Sequence, residues 1–239
     1  MARVVLLSGG VNSVTALYQV SVKYGENSTI YVVTLNNSKN KESIKAKQAI
    51  VDYLSNKFYK TKYKYIQTTY NMSESGKLNE VLCAIPVAIS NIISSVGIME
   101  YIDLYLPIPF DHYIYNASKI DDLQELIKNT ISLYGTYNEV ELYTNFGYNT
   151  FNTTVELMRL DKDLFNLVYP GDSEIDMNYF KANIEIAHRI SFTMDPPLNN
   201  EFAQYAKDKL GMNLFDYDPN KQNDSSNKPK KILPIFKKH

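Results

Sequence analysis

The sequence predicts an α/β protein: a doubly wound, five-stranded parallel sheet of Rossmann-like type, followed by a small helical lobe. Three observations predict it. Short apolar, β-branched runs alternate with stretches of helical periodicity as far as residue 150. A small-residue turn, SGGVNS (Ser8–Ser13), directly follows the first apolar run. Beyond Thr150 the strand-like runs stop and only helical spacing remains.

The elements follow in order. Val4–Leu7 is short and apolar, as a fully buried strand requires. Ser13–Lys23 is a helix, with Val14, Leu17, Tyr18 and Val22 near helical spacing and Gly25 closing it. Thr29–Leu35 is the second buried strand. Glu42–Lys57 is a helix whose inner face is read as Ile44, Ala46, Ala49, Ile50, Tyr53 and Leu54. Lys62–Gln67 alternates polar and apolar residues, which places this third strand at an edge. Lys77–Met99 is a long apolar helix that Pro86 should kink or split, because proline removes a hydrogen bond and clashes with the preceding turn. Ile102–Leu106 is the fourth strand, Asp121–Leu133 an amphipathic helix and Glu139–Thr144 the fifth strand. Helices are then expected at Thr153–Leu160, Asp176–Ile190 and Glu201–Leu210. The domain reading is therefore 1–150 for the α/β part, 151–215 for the helical lobe and 216–239 for a flexible basic tail.

Composition bounds the function. A formal net charge of −1 over 239 residues gives no general attraction for polyanions. Residues 221–239 hold six Lys and one Asp, the composition of a solvated tail, so nucleic acid is not an expected partner. The apolar cluster Ile232–Phe236 in that tail makes docking on a second copy, as a homodimer, the alternative use. Cys83 is the only cysteine and sits in VLCAIPVAI, so it reads as a small buried hydrophobe; no disulfide and no cysteine zinc site can form within the chain. Arg3 comes early and Ser-Gly-Gly interrupts the first apolar stretch, unlike a secretory leader. No run approaches the roughly 20 apolar residues of a membrane span. A cytoplasmic protein without membrane partners is expected.

The turn carries the chemistry. In an open parallel sheet, ligands bind beyond the carboxyl ends of the strands where the strand order reverses. Gly9 and Gly10 let the backbone approach an anion, Ser8 and Ser13 add hydroxyls, and the next helix aims its positive end at the same place. No Lys follows as GxxxxGK[ST] demands, and no third glycine completes GxGxxG. The plainer reading is a strand-to-helix turn capped by Asn12 or Ser13.

SGGVNS resembles the SGGxDS signature of the PP-loop ATP pyrophosphatases, of HUP type, and residues 3–170 are most similar to the 7-cyano-7-deazaguanine synthase family. The stretch Asn36–Ile50 and the long helix before the fourth strand add to the likeness. The resemblance implies an ATP-dependent synthase that adenylates a carboxylate on a deazapurine-like substrate, takes up ammonia to form an amide or nitrile, and releases AMP and pyrophosphate. It implies ATP and Mg²⁺ as cofactors. It assigns nucleotide binding to Ser8, Gly9, Gly10, Val11, Asn12, Ser13 and Leu35, catalysis to Asn12 and Asp111, and substrate binding to Asp111 and His112. No resident metal site is expected.

The departures are specific. Asn12 stands where the signature has Asp, which lowers the affinity for Mg²⁺. The four-cysteine zinc site of the family is missing. Leu82–Ala84 replaces a Gly-Arg-Asn stretch. Leu106–Lys119, read as the substrate loop, lacks the family's glycines. After the fifth strand, Asn149–Leu160 offers Thr153 or Thr154 as a cap but no Lys for the phosphates; Arg159 should point elsewhere. Lys39, Lys41, Lys45 and Lys47 are cations near the turn, most of them expected on a solvated helix face. The alternative function is therefore a degenerate PP-loop protein that binds a nucleotide or a protein partner without turnover. His188, in IEIAHRI, reads as a packed helix residue.

Overall fold

The computed structural model describes residues 1–70, 78–96, 101–108, 110–133, 140–145, 149–171 and 174–215. Five strands form one all-parallel sheet: β1 (Ala2–Leu6), β2 (Thr29–Asn37), β3 (Lys62–Tyr70), β4 (Ile102–Ile108) and β5 (Val140–Asn145). Their order is β3-β2-β1-β4-β5. The KYKYIQ strand is indeed at an edge. The chain builds outward from β1 to β3, then returns to the other side of β1, so the order reverses between β1 and β4.

Helices α1 (Val11–Tyr24), α2 (Lys41–Lys57), α3 (Leu78–Val96) and α4 (Phe110–Leu133) connect the strands. After β5 come α5 (Thr150–Leu160), the single turn α6 (Lys162–Phe165), α7 (Glu174–Met194) and α8 (Pro196–Leu210). Strand alternation divides the core into two layers. Val5, Leu7, Ile30 and Val32 pack with α1, α2 and the C-terminal helices. Val4, Leu6, Tyr31, Val33 and Leu104 pack with the Ala88, Ile89, Ile92 and Ile93 face of α3 and with Ile127 and Ile131 of α4. The helices after residue 150 thus share a core with the sheet: Leu157, Leu164, Phe165 and Phe202 are fully buried within the first layer.

Several expectations are corrected. Helix α1 starts at Val11, not Ser13, because Gly10 holds the cap position with extended backbone (φ −76°, ψ 163°) and no side chain caps it. Val22 is exposed; Val20 and Ser21 face inward instead. Pro86 does not split α3, which runs from Leu78 to Val96. Its apolar face after Pro86 is packed on the sheet, and such burial outweighs one lost backbone bond. Helix α4 starts at Phe110, so most of the expected Leu106–Lys119 loop is helix. From Phe110 to Leu133 there is neither Gly nor Pro to interrupt it. Helix α8 starts at Pro196, earlier than Glu201, with Asp195 accepting from the Leu198 N–H at 3.3 Å and prolines in the first turn. Lys77 and residues 97–99 lie outside the described residues, as does the tail 216–239 with Ile232–Phe236. Among the described residues, no helix is long and apolar enough to cross a membrane.

Candidate functional site

The carboxyl ends of three adjacent strands converge on one cleft of about 430 Å³, a volume usual for small-molecule sites. Leu6 and Leu7 reach it from β1, Val33, Leu35 and Asn37 from β2, and Leu106 and Pro107 from β4. Ser8, Gly10 and Ser13 line it from the first turn, Ser43 and Lys47 from α2, and Tyr169, Pro170, Gly171, Asp176 and Tyr179 from the segment around the start of α7. The cleft therefore lies where strand order reverses, as an open α/β sheet requires.

The Ser8–Ser13 turn is held by its own side chains. Ser13 Oγ accepts from the N–H groups of Ser8 (3.1 Å) and Gly9 (3.2 Å) and donates to the Gly10 carbonyl (2.9 Å). Ser8 Oγ lies 2.9 Å from Ser13 Oγ and accepts from the Gly10 N–H at 3.3 Å. Gly9 has φ +91°, which L side chains rarely adopt. Gly10 has no side chain to take up the first-turn N–H groups of α1, which is the arrangement an anion uses.

The segment after α6 is fastened to this turn. The Tyr169 N–H donates to the Gly9 carbonyl at 2.9 Å, and Tyr169 Oη accepts from Asn40 Nδ2 at 3.1 Å. Asn40 in turn caps α2, its Oδ1 accepting from the Ser43 N–H at 2.9 Å. One tyrosine thus ties the turn after β1 to the start of α2.

Sequence reasoning named Lys47 only as one of four cations near the turn, most of them expected on a solvated helix face. Lys47 is only 5% exposed and lines the cleft, whereas its neighbour Lys45 faces water. Its ammonium donates to the Leu35 carbonyl (3.0 Å) and Asn36 Oδ1 (3.2 Å), and its stem lies against Gly9. A signal was present. Ser43, Lys47, Ile50, Val51 and Leu54 are the buried residues of α2, a stripe at helical spacing, so extending it back from Leu54 and Ile50 points Lys47 inward.

The other expected residues are distributed as follows. Ser8, Gly10, Ser13 and Leu35 line the cleft; Gly9 lies behind it against Lys47 and Tyr169; Val11 is in the core. Asn12 Nδ2 makes a long hydrogen bond to Thr150 Oγ1 (3.4 Å), which also accepts from Tyr179 Oη at 3.2 Å. Asp111 and His112 are in the first turn of α4, just beyond the cleft residues of β4; their side chains, like that of Cys83, lie outside the described residues. Thr153 and Thr154 are buried and bond back to the carbonyls of Asn149 and Thr150; Asn149, not a threonine, caps α5. Arg159 turns to Asp195 (3.3 Å). His188 is buried, its carbonyl accepting from Asn199 Nδ2 at 2.7 Å; burial, with help from Arg189, holds its imidazole below the usual value.

Among the described residues, the cleft has no full set of protein ligands for a resident Mg²⁺. That ion takes an octahedron of oxygens including carboxylates. Among the described residues of the cleft, Asp176 is the only carboxylate, and Lys47 brings a positive charge to the same space. Among the described residues, no group of three His, Cys, Asp or Glu can hold a metal ion. Comparisons with protein-family models, curated proteins and solved structures found no match.

Proposed function

We propose that this chain is a divergent PP-loop protein of HUP type, akin to 7-cyano-7-deazaguanine synthases, which binds ATP in the cleft and adenylates a carboxylate. One observation carries the reading: the Ser8–Ser13 turn, with its first-turn N–H groups uncapped by a side chain, opens at the reversal of strand order onto a cleft that also contains Lys47. The phosphates lie on the turn, and the apolar strand ends Leu6, Val33, Leu35 and Leu106 receive the base or the substrate ring. A carboxylate oxygen attacks the α-phosphorus, and the bond to pyrophosphate breaks. Ammonia then adds at the acyl carbon, loses a proton, and AMP leaves with the carbon–oxygen bond pair, giving an amide. The N–H groups at the start of α1 stabilise charge on the departing oxygens. Asp111 and His112, in the first turn of α4, are the residues assigned to the substrate.

The test is incubation of the full chain with ATP, Mg²⁺, ammonium and carboxy-deazaguanine, read by mass spectrometry. AMP together with an amide or nitrile is the expected result. Unchanged ATP would leave the second reading, a nucleotide-binding protein without turnover. The contact of Asn12 with Thr150 favours that second reading, because it places the side chain at the signature's acidic position against α5.

A further inference from the structure

Lys47 is the one buried cation of the cleft among the described residues. A phosphate ligand needs counter-charge, and PP-loop proteins would draw it from a metal held by the signature carboxylate. Here that position is Asn12, whose side chain is engaged with Thr150. The remaining carboxylate, Asp176, is exposed at the start of α7. Water screens the exposed charge of Asp176 far more than the buried charge of Lys47. Its position is also fixed. The stem is wedged against Gly9, and the ammonium is anchored by the Leu35 carbonyl and Asn36 Oδ1 at the end of β2. A cation held in this way stays on the β2 side of the cleft.

Building on the nucleotide-binding reading, we infer that Lys47 takes the place of a carboxylate-bound metal ion as counter-charge, so that the cleft binds a nucleoside triphosphate without divalent cations. The Lys47 ammonium and the N–H groups at the start of α1 then face the polyphosphate from two sides. Affinity rises with the number of phosphates, from AMP through ADP to ATP.

The experiment is calorimetric titration of the full chain with ATP, once in EDTA and once in excess Mg²⁺. The expected result is binding in EDTA at least as tight as in Mg²⁺. Lys47→Met should weaken binding in EDTA by about tenfold to a hundredfold, the worth of one hydrogen bond to a charged group, and Lys47→Arg should restore part of it. Asn12→Asp should weaken binding in EDTA and make it depend on Mg²⁺. ATP binding only when Mg²⁺ is present would overturn the inference and leave the nucleotide reading intact. No ATP binding in either buffer would overturn the nucleotide reading itself, and the inference with it. Circular dichroism of Lys47→Met monitors folding; if that variant does not fold, the wild-type and Asn12→Asp arms decide. Unchanged ATP affinity in a folded Lys47→Met protein also refutes it.

Discussion

Gly9 shows how a backbone angle can demand one residue type. Its φ of +91° disfavours any side chain, and a β-carbon there would sit 3.4 Å from both Lys47 Cγ and Tyr169 Cβ. Gly9→Ala should therefore lower stability by about 1–2 kcal/mol, read as a reduced urea midpoint at unchanged slope. Asp103 presents the opposite kind of residue. Burial pushes its carboxyl above the usual range, and Arg3, 4.0 Å away, only partly offsets that. Its ionisation thus opposes folding, and the penalty develops as pH rises from the usual carboxylate value through the raised one. Asp103→Asn should be neutral or stabilising by about 1 kcal/mol at neutral pH, and the difference should vanish in acid. Urea unfolding at pH 7 and in acid measures both.

At the scale of elements, Asp161 ties α6 to α2. It caps α6 through the Leu164 N–H (3.0 Å) and accepts from Tyr53 Oη (2.8 Å) and Lys57 Nζ (2.7 Å), both on α2. Burial alone would raise its carboxyl; the bonds from Lys57, Leu164 and Tyr53 outweigh it and hold the group below the usual value. A depressed folded value stabilises above the ordinary carboxylate range and is lost as pH falls through it. Asp161→Asn should cost about 1–2 kcal/mol at pH 7, and the gap to wild type should close below about pH 4. Urea unfolding across pH would show this, and a constant gap would refute it.

The same scale shows what was legible in the sequence. Strand and helix order was, because β1, β2 and β4 are apolar runs that only a sheet covered on both faces can bury. Helix starts were harder. Asn12 and Ser13 looked like caps, yet Ser13 spends its hydroxyl on the turn behind it, and Gly10 caps by backbone geometry alone. The Asp111–His112 stretch read as a loop because the resemblance puts a substrate loop after the fourth strand, but α4 begins at Phe110. Of the site, the turn could be read because glycines and serines mark it. Lys47 could not be read from its chemistry, since lysine on a helix normally faces water; only the register of α2 turns it inward.

For the molecule as a whole, the boundary at residue 150 separates patterns in sequence more sharply than it separates cores. Fully buried Leu157, Leu164, Phe165 and Phe202 fill the layer begun by Val5 and Leu17. A fragment ending at residue 150 would expose the partners of these side chains. Each such loss costs about 2–5 kcal/mol, against a whole-domain stability of only about 5–15. The 1–150 fragment should accordingly show no cooperative thermal transition by circular dichroism, where the full chain does. A sharp melt from the fragment would show that the sheet is independent.

The bond from Tyr169 to Gly9 has a consequence in time. Synthesis proceeds from the N-terminus, so the glycine turn leaves the ribosome long before the tyrosine that fastens it. Throughout that interval the turn, β2 and Lys47 exist without the segment that closes the cleft over them. A growing chain therefore cannot offer the complete pocket. Whatever small molecule the cell holds at hand can influence this protein only after Tyr169 has emerged, when it can secure a finished fold but not guide an unfinished one.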